Sequence, residues 1–332
     1  TAPMAKQKTK YTNIGGQALI EGLMMRGPKR TAMAVRNTRG EIQIEMYPTH
    51  AKERSKITKW PFIRGIFGLV DSLKLGYRLL SRSAELSGIA EEEPKKKKKE
   101  PSAFSKKMEK LLEKFMMPIA VVFAVVMGVG LFMYLPVQLF NWLALAFPAI
   151  AGSHLLRSLF EGLVRVAIFV GYVAATALLK DIRRTYQYHG AEHKTIFCYE
   201  KKLPLTVENV RKQSRFHPRC GTSFLVLMLI VGIVVSFFIR ATNPVLRTAL
   251  KLLTVPLLIG IGYELIQFAG RHDNWLTRAI SAPGVLIQHI TTKEPDDSMI
   301  ECAIEAMVRV LPDAKEYPEK ETLSGHAAPE AI

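Results

Sequence analysis

Residues 118–146 read PIAVVFAVVMGVGLFMYLPVQLFNWLALA, an apolar run without a single charged side chain. A transmembrane helix needs about 20 mostly apolar residues, so this run can cross a bilayer with a tilt or with a break near Pro136. Three further apolar runs follow at residues 155–179, 224–239 and 250–270. The sequence therefore predicts an α-helical multi-pass membrane protein with about four transmembrane helices. The alternative is a pair of apolar helical hairpins buried in a soluble core.

The chain is both apolar and basic, with 48% hydrophobic residues and a net charge of +17. Residues 1–117 carry 25 Lys and Arg against 12 Asp and Glu, and residues 180–220 carry 10 against 4. Because loops rich in Lys and Arg stay in the cytoplasm during insertion, the central loop and both termini are predicted to be cytoplasmic. Such a composition excludes a disordered chain, and three cysteines cannot build a disulfide framework.

These features divide the chain into four parts. We predict an N-terminal cytoplasmic segment (1–87), a charged linker (88–117), a four-span membrane domain (118–270) with a cytoplasmic loop at 180–222, and a C-terminal cytoplasmic segment with a tail (271–332). The cytoplasmic segments are expected to form a small α+β part.

Local patterns predict three elements in that cytoplasmic part. The strict alternation in EIQIEMY (41–47), after a turn at 37–40, predicts a β-hairpin with residues 32–36. Residues 61–83 place apolar side chains at helical spacing with basic ones among them. This favours an amphipathic helix, which either lies on the membrane surface or faces a soluble core. Apolar spacing over residues 299–311 predicts a further helix.

The central loop contains the most informative motif, an H-x-x-E-H pattern formed by His189, Glu192 and His193. On a helix these side chains share one face. Two imidazoles one turn apart can bind one Zn²⁺, and a neighbouring carboxylate can act as a general base on a metal-bound water. Inverted zinc proteases use the same spacing. We therefore predict that His189 and His193 are metal ligands and that Glu192 is catalytic.

Further ligand candidates lie later in the chain. His217 and Cys220 end the same loop, and imidazole and thiolate are both good zinc ligands. Glu264 belongs to the fourth apolar run, where a carboxylate usually faces the protein interior. Four ligands would make a structural site, whereas three would leave a position for water. One alternative is a set of hydrogen bonds that hold the loop to the bundle; another is a nucleophilic Cys198 or Cys220.

Arg157, Glu161 and Arg165 follow one another at intervals of four in the second apolar run. This spacing puts them on one helix face, so Glu161 can pair with either arginine. We predict a packing pair between helices; the alternative is a substrate or ion pathway.

Four sequence blocks together resemble the YqhQ-like family of bacterial membrane proteins. They are GGQALIEGLMMRGP (15–28), YHGAEHKTIFCYE (188–200), HPRCGTSF (217–224) and TTKEPDD (291–297), and the resemblance extends over about residues 12–311. The family is commonly labelled as metal-dependent enzymes, without a substrate. The resemblance implies a multi-pass membrane protein whose matching site positions are His189, Glu192, His193, His217 and Cys220.

Two functions therefore stand as hypotheses. The first is a zinc-dependent hydrolase with its site at the cytoplasmic membrane face. The second is a non-enzymatic membrane factor whose basic face docks on a ribosome or translocon, or on anionic lipid, because clustered Lys and Arg attract phosphates. Membrane lipid is a predicted partner in both, and no DNA partner is expected.

Overall fold

The computed structural model describes residues 14–49, 58, 60–88, 118–272, 274–312 and 318–323. Most of the predicted linker and the C-terminal tail lie outside these ranges. The described residues form two compact units. The first, here called the sheet unit, draws on Thr1–Glu92, Val173–Leu227 and Gly262–Ile332, and the second, the apolar unit, draws on Glu93–Tyr172 and Met228–Ile261.

The described residues are mostly helical and form one small antiparallel sheet. The strands are β1 (Gly15–Leu19), β2 (Gly22–Arg26), β3 (Arg30–Arg36), β4 (Ile42–Pro48) and β5 (Lys320–Leu323). The helices are α1 (Ile63–Ser87), α2 (Pro118–Ala146), α3 (His154–Thr176), α4 (Lys180–Glu200), α5 (Val207–Arg211), α6 (Gly221–Ser236), α7 (Pro244–Leu253), α8 (Val255–Arg271), α9 (Trp275–Thr291) and α10 (Asp297–Val310).

The sheet has the strand order β1-β2-β3-β4-β5, with each strand antiparallel to its neighbours. The predicted hairpin is confirmed, because β3 and β4 pair with Arg36 opposite Ile42. Gly40 lies in their turn with a φ of 81°, a conformation that a side chain would disfavour. The C-terminal strand β5 extends the sheet beyond β4, so both ends of the chain contribute to it.

Helices pack on both faces of this sheet. On one face α10 and α4 form the main core, to which Ile300, Ile304 and Met307 contribute buried side chains. The predicted C-terminal helix is confirmed as α10, and it begins where the Asp296 carboxylate accepts a hydrogen bond from the Met299 amide at 3.0 Å. Nearly all of α10 is buried, which explains its dense apolar pattern.

The other face of the sheet carries α1, the predicted amphipathic helix. Its Leu79 is fully buried and packs against Leu19, Met33 and Val35 of the sheet. The opposite side of α1 leaves several large apolar side chains exposed, among them Leu73 and Tyr77. One side of α1 therefore packs against the core, which is one of the two predicted roles. The other side remains apolar and uncovered.

Within the described ranges, two helices, α2 and α3, are long and apolar enough to cross a membrane. A third crossing results if α7 and α8, which meet at a bend of 43°, are counted as one. The sequence predicts four. The difference arises at α6, which has only 16 residues, and at Pro256, which cannot donate a helical hydrogen bond and follows the break.

Pro136 lies within α2 without ending the helix. A π-helical turn at Gly130–Tyr134 precedes it, so the predicted break is a local widening. Proline lacks the N–H that the Phe132 carbonyl would receive in a regular helix. Arg165 of α3 supplies a donor instead, with its Nε 2.8 Å from that oxygen.

Candidate metal centre

The H-x-x-E-H motif lies in the middle of α4. Its helical spacing brings the rings of His189 and His193 to a centroid distance of 4.3 Å. Between them, Gly190 packs directly against the backbone at Lys293, where a Cβ would lie 2.1 Å from the carbonyl oxygen. Only glycine permits this approach, which holds α4 against the segment that follows α9.

Cys220 reaches the same place from the start of α6. Its Sγ lies 3.0 Å from His189 Nε2. One ligand atom from each of His189, His193 and Cys220 lies within 4.8 Å of the other two. His193 and Cys220 are buried and His189 is half-buried. We call these three residues the His–Cys cluster, and no other group of this kind occurs in the described ranges.

Backbone carbonyls set the tautomers of both cluster histidines. The Nδ1 of His189 lies 2.9 Å from the Thr291 carbonyl, and the Nδ1 of His193 lies 2.6 Å from the Arg215 carbonyl. Because a carbonyl only accepts, each Nδ1 carries the hydrogen and each Nε2 keeps its lone pair. Burial also lowers the pKa of His193 and so favours its neutral form. Metal-binding histidines have this arrangement.

The surroundings of Cys220 lower the pKa of its thiol. Burial alone would raise its pKa, but interactions with His193 and hydrogen bonds from Thr222 lower it below the ordinary value. The Thr222 hydroxyl lies 3.2 Å from Sγ. A thiol with a lowered pKa loses its proton more readily, and the resulting thiolate can serve either as a metal ligand or as a nucleophile.

The donor set fits a zinc ion. With bonds of about 2.1 Å to nitrogen and about 2.3 Å to sulfur, tetrahedral ligand atoms lie about 3.4–3.6 Å apart. The His–Cys cluster requires small side-chain adjustments, since its ligand atoms lie within 4.8 Å of one another and one pair is already at 3.0 Å. Two imidazoles and one thiolate leave the fourth position of the tetrahedron for water or substrate.

Glu192 lies on α4 between the two histidines and is buried. The backbone of Gly16 in β1 donates a hydrogen bond to the carboxyl group, and a Cβ at Gly16 would lie 2.8 Å from Glu192 Cδ. Its Oε2 has no hydrogen-bond partner among the described residues. Burial raises the pKa of Glu192 to about 8, which places its proton exchange near neutral pH.

The other two predicted ligands take different positions. His217 is buried with its ring centroid 5.5 Å from that of His193, but its Nδ1 accepts from the Arg219 amide at 3.3 Å. Its Nε2 therefore carries the hydrogen and lies 3.8 Å from Glu200. Glu264 pairs with Arg64, whose Nε lies 2.8 Å from the carboxylate. Neither residue joins the His–Cys cluster.

The residues that hold the Cys220 segment in place were not predicted from the sequence. The Gln288 side chain of α9 accepts from the amide of His217 and donates to its carbonyl, both at 2.8 Å. Arg219 pairs with Glu200 at the end of α4. The only sequence sign of these contacts is that the segments involved belong to the blocks 188–200, 217–224 and 291–297 or adjoin them.

Comparison with known proteins places this chain in a family. Residues 60–313 match the family model described as "Protein of unknown function (DUF1385)". The "Uncharacterized protein YqhQ" of Bacillus subtilis (strain 168) is 33% identical over 311 residues, covering 93% of this chain and 95% of that protein. These matches confirm the predicted YqhQ-like resemblance. No solved structure matches the chain significantly.

Proposed function

We propose that this chain, which belongs to the DUF1385 family of proteins of unknown function, is a zinc-dependent hydrolase of the membrane. The family supplies no activity, so the proposal rests on the residues of the chain itself. One observation carries the proposal. Two histidines and one cysteine bring their ligand atoms within 4.8 Å of one another, and the carbonyl contacts at Nδ1 leave each histidine Nε2 without a hydrogen and able to bind a metal.

The chemistry divides between the metal and the protein. A zinc ion supplies Lewis acidity towards a water or a carbonyl oxygen. His189, His193 and Cys220 hold it, while Glu192 takes a proton from the attacking water at Oε2 and passes it to the leaving group. The raised pKa of about 8 makes the Glu192 carboxylate a stronger base than an exposed one.

Metal analysis tests the metal centre. The full chain, purified in mild detergent, is expected to contain one zinc per chain, to lose it to a chelator and to recover it on addition of zinc. Protein that takes up no metal even after zinc supplementation would overturn the proposal.

Hydrolysis of p-nitrophenyl acetate by the zinc-loaded chain tests the catalytic role. We expect Glu192→Gln to keep its zinc and to lose about 100- to 10,000-fold in rate, as for loss of a general base. Glu208→Gln is the matched control, because that carboxylate is exposed on α5 and pairs with Lys212. Equal rates in the two variants would exclude Glu192 as the base.

We further propose that the chain spans the membrane four times with both termini in the cytoplasm. The spans would be α2, α3, α6 and the bent pair α7–α8, and the net positive charge of residues 1–117 and 180–220 supports the orientation. Alkaline phosphatase fusions test it: fusions after residues 151 and 241 should be active, and a fusion after residue 202 should be inactive. The opposite pattern would refute the topology.

A second candidate function, docking on anionic lipid, is favoured by the uncovered side of α1. Phe67, Leu73 and Tyr77 are exposed there, and Lys74 and Arg78 lie beside them. This combination suits the boundary between headgroups and acyl chains. The same basic surface makes a ribosome or a translocon a proposed partner, which copurification at low salt but not at high salt would support.

Brominated phosphatidylglycerol tests the lipid contact. In nanodiscs, a variant that keeps Trp60 as its only tryptophan should be quenched, and the additional changes Leu73→Glu and Tyr77→Glu should reduce the quenching. Absence of quenching in the parent variant would show that α1 does not lie on lipid.

A further inference from the structure

The described part of the apolar unit buries more positive charge than its carboxylate can neutralise. Within residues 118–172 and 228–261, Glu161 is the sole acidic residue. The same ranges contain five basic residues, and four of them are buried, namely Arg157, Arg165, Arg247 and Lys251. We call these four residues and Glu161 the Glu161 cluster.

Three of the four cations share the single carboxylate. The Nε of Arg247 lies 2.9 Å from both oxygens of Glu161, and the Nε of Arg157 lies 3.1 Å from Oε1. The ammonium of Lys251 also pairs with Oε2. The predicted packing pair is thus a larger ion cluster, in which one negative charge serves three positive ones.

Neutral oxygens take most of the remaining hydrogen bonds. Arg157 donates to the Asn141 side chain at 2.5 Å, Arg247 to the Ser158 hydroxyl at 3.0 Å, and Arg165 to the Phe132 carbonyl. Such acceptors satisfy N–H groups but carry no net charge. The Glu161 cluster therefore keeps an excess of three positive charges in a buried place, which is strongly unfavourable without a counter-anion.

Two hydroxyl groups beside the cluster also lack a partner. Ser236 ends α6, where its carbonyl accepts from Ser158, and Thr248 follows Arg247 in α7. Both side chains are at least nine-tenths buried, and neither hydroxyl has a hydrogen-bond partner among the described residues. Unpartnered hydroxyls on these neighbouring residues, together with the excess positive charge of the cluster, favour an anion with several oxygens.

We propose that the Glu161 cluster binds a phosphate group, carried by an anionic phospholipid or present as free inorganic phosphate. The guanidinium group matches the oxygens of a phosphate with paired hydrogen bonds. Arg157 lies in the first turn of α3, and its guanidinium reaches the Thr242 carbonyl just before α7 begins. The Arg157 side of the cluster is thus adjacent to helix ends, the level at which the polar headgroups of a bilayer would lie, whereas Arg165 lies deeper, opposite Phe132 in the middle of α2.

Thermal unfolding of the delipidated full chain in detergent tests this proposal, which is independent of the zinc site. The probes are dioctanoyl phosphatidylglycerol, inorganic phosphate, and sodium chloride at equal ionic strength. We expect phosphate-bearing probes to raise the unfolding midpoint more than chloride does. A response to the lipid alone identifies a lipid phosphate, and a response to inorganic phosphate alone identifies the free ion.

Variants connect the response to the cluster. Arg165→Gln removes one charge while its amide can still donate to the Phe132 carbonyl, and it should raise the half-saturating concentration about tenfold. Lys251→Met, which also lowers the charge excess by one, is the second variant. Arg240→Gln is the matched control, because Arg240 is exposed, and it should respond like the wild type. A wild-type response equal to that of chloride, or equal responses of all three variants, would overturn the proposal.

Discussion

Replacing Cys220 with serine removes the thiolate from the His–Cys cluster with little change in size. A serine hydroxyl can keep the hydrogen bonds that Sγ makes, at 3.0 Å to His189 and 3.2 Å to Thr222. It stays protonated at neutral pH, however, and is not among the usual zinc ligands. The variant should therefore fold and fail to bind zinc tightly.

The size of the effect follows from the number of ligands. Loss of a group that merely orients a ligand weakens metal binding about 10- to 100-fold, so loss of one of three direct ligands should cost at least about 100-fold. That factor corresponds to about 2.7 kcal/mol. With free zinc at 100 times its dissociation constant, the wild type gains about 2.7 kcal/mol in free energy of unfolding, whereas the variant gains about 0.4 kcal/mol.

Thermal unfolding with and without zinc measures this difference in detergent-solubilised full chain. At about 2–4 °C per kcal/mol, zinc should raise the midpoint by about 5–10 °C in the wild type and by about 1 °C in Cys220→Ser. Cys198→Ser is the matched control. Its sulfur is buried in α4, the helix that carries both cluster histidines, but it approaches the Pro204 carbonyl at 3.5 Å and does not belong to the cluster.

Two results would show that Cys220 is not a zinc ligand. Cys220→Ser would have to bind one zinc with wild-type affinity, or Cys198→Ser would have to lose the zinc response to the same extent. Either result would place the metal, if bound, on other side chains.

Three further predictions concern buried groups. Glu161→Gln leaves buried cations without their carboxylate and should therefore lower the free energy of unfolding by about 3–5 kcal/mol. The change is measured as a fall in the thermal midpoint, and an unchanged midpoint would contradict the prediction. Gly16→Ala places a Cβ 2.6 Å from the Met24 carbonyl and 2.8 Å from Glu192 Cδ. This crowding should lower the free energy of unfolding by about 1–3 kcal/mol, measured in the same assay. An unchanged midpoint would show that β1 can shift to accept the methyl group. Burial raises the pKa of the Cys302 thiol to about 12, so iodoacetamide at pH 8 should modify this cysteine only after the protein unfolds. Peptide mass mapping measures the modification. Labelling of Cys302 in the folded protein would disprove the prediction.

Much of the fold follows from local patterns in the sequence. The alternation at 41–47 predicts β4 because side chains alternate between the two faces of a strand, and the apolar spacing at 299–311 predicts α10 for the corresponding helical reason. The spans are less predictable, since hydropathy does not show where a helix ends. The length of α6 and the bend before Pro256 depend on backbone geometry that composition does not encode.

The burial of ion pairs is likewise not predictable from local sequence patterns. Glu305 and Arg309 lie one helical turn apart on α10, a spacing usually found on solvated surfaces, yet both are buried. They are enclosed because α10 packs between the sheet and α4, and Arg309 also reaches Glu321 of β5, which arrives from the end of the chain. No pattern within α10 indicates that second partner.

Local sequence patterns are enough to predict that apolar helices dominate the chain and that His189, Glu192 and His193 share one helix face, because both properties depend on residues close together in the chain. The packing of distant segments, in contrast, determines which other candidates join them. Cys220 completes the His–Cys cluster, whereas His217 accepts from the Arg219 amide at Nδ1 and Glu264 pairs with Arg64. The reason is physical: ligand binding requires atoms placed to within about 0.5 Å, and that placement depends on backbone carbonyls and packing contacts from distant segments.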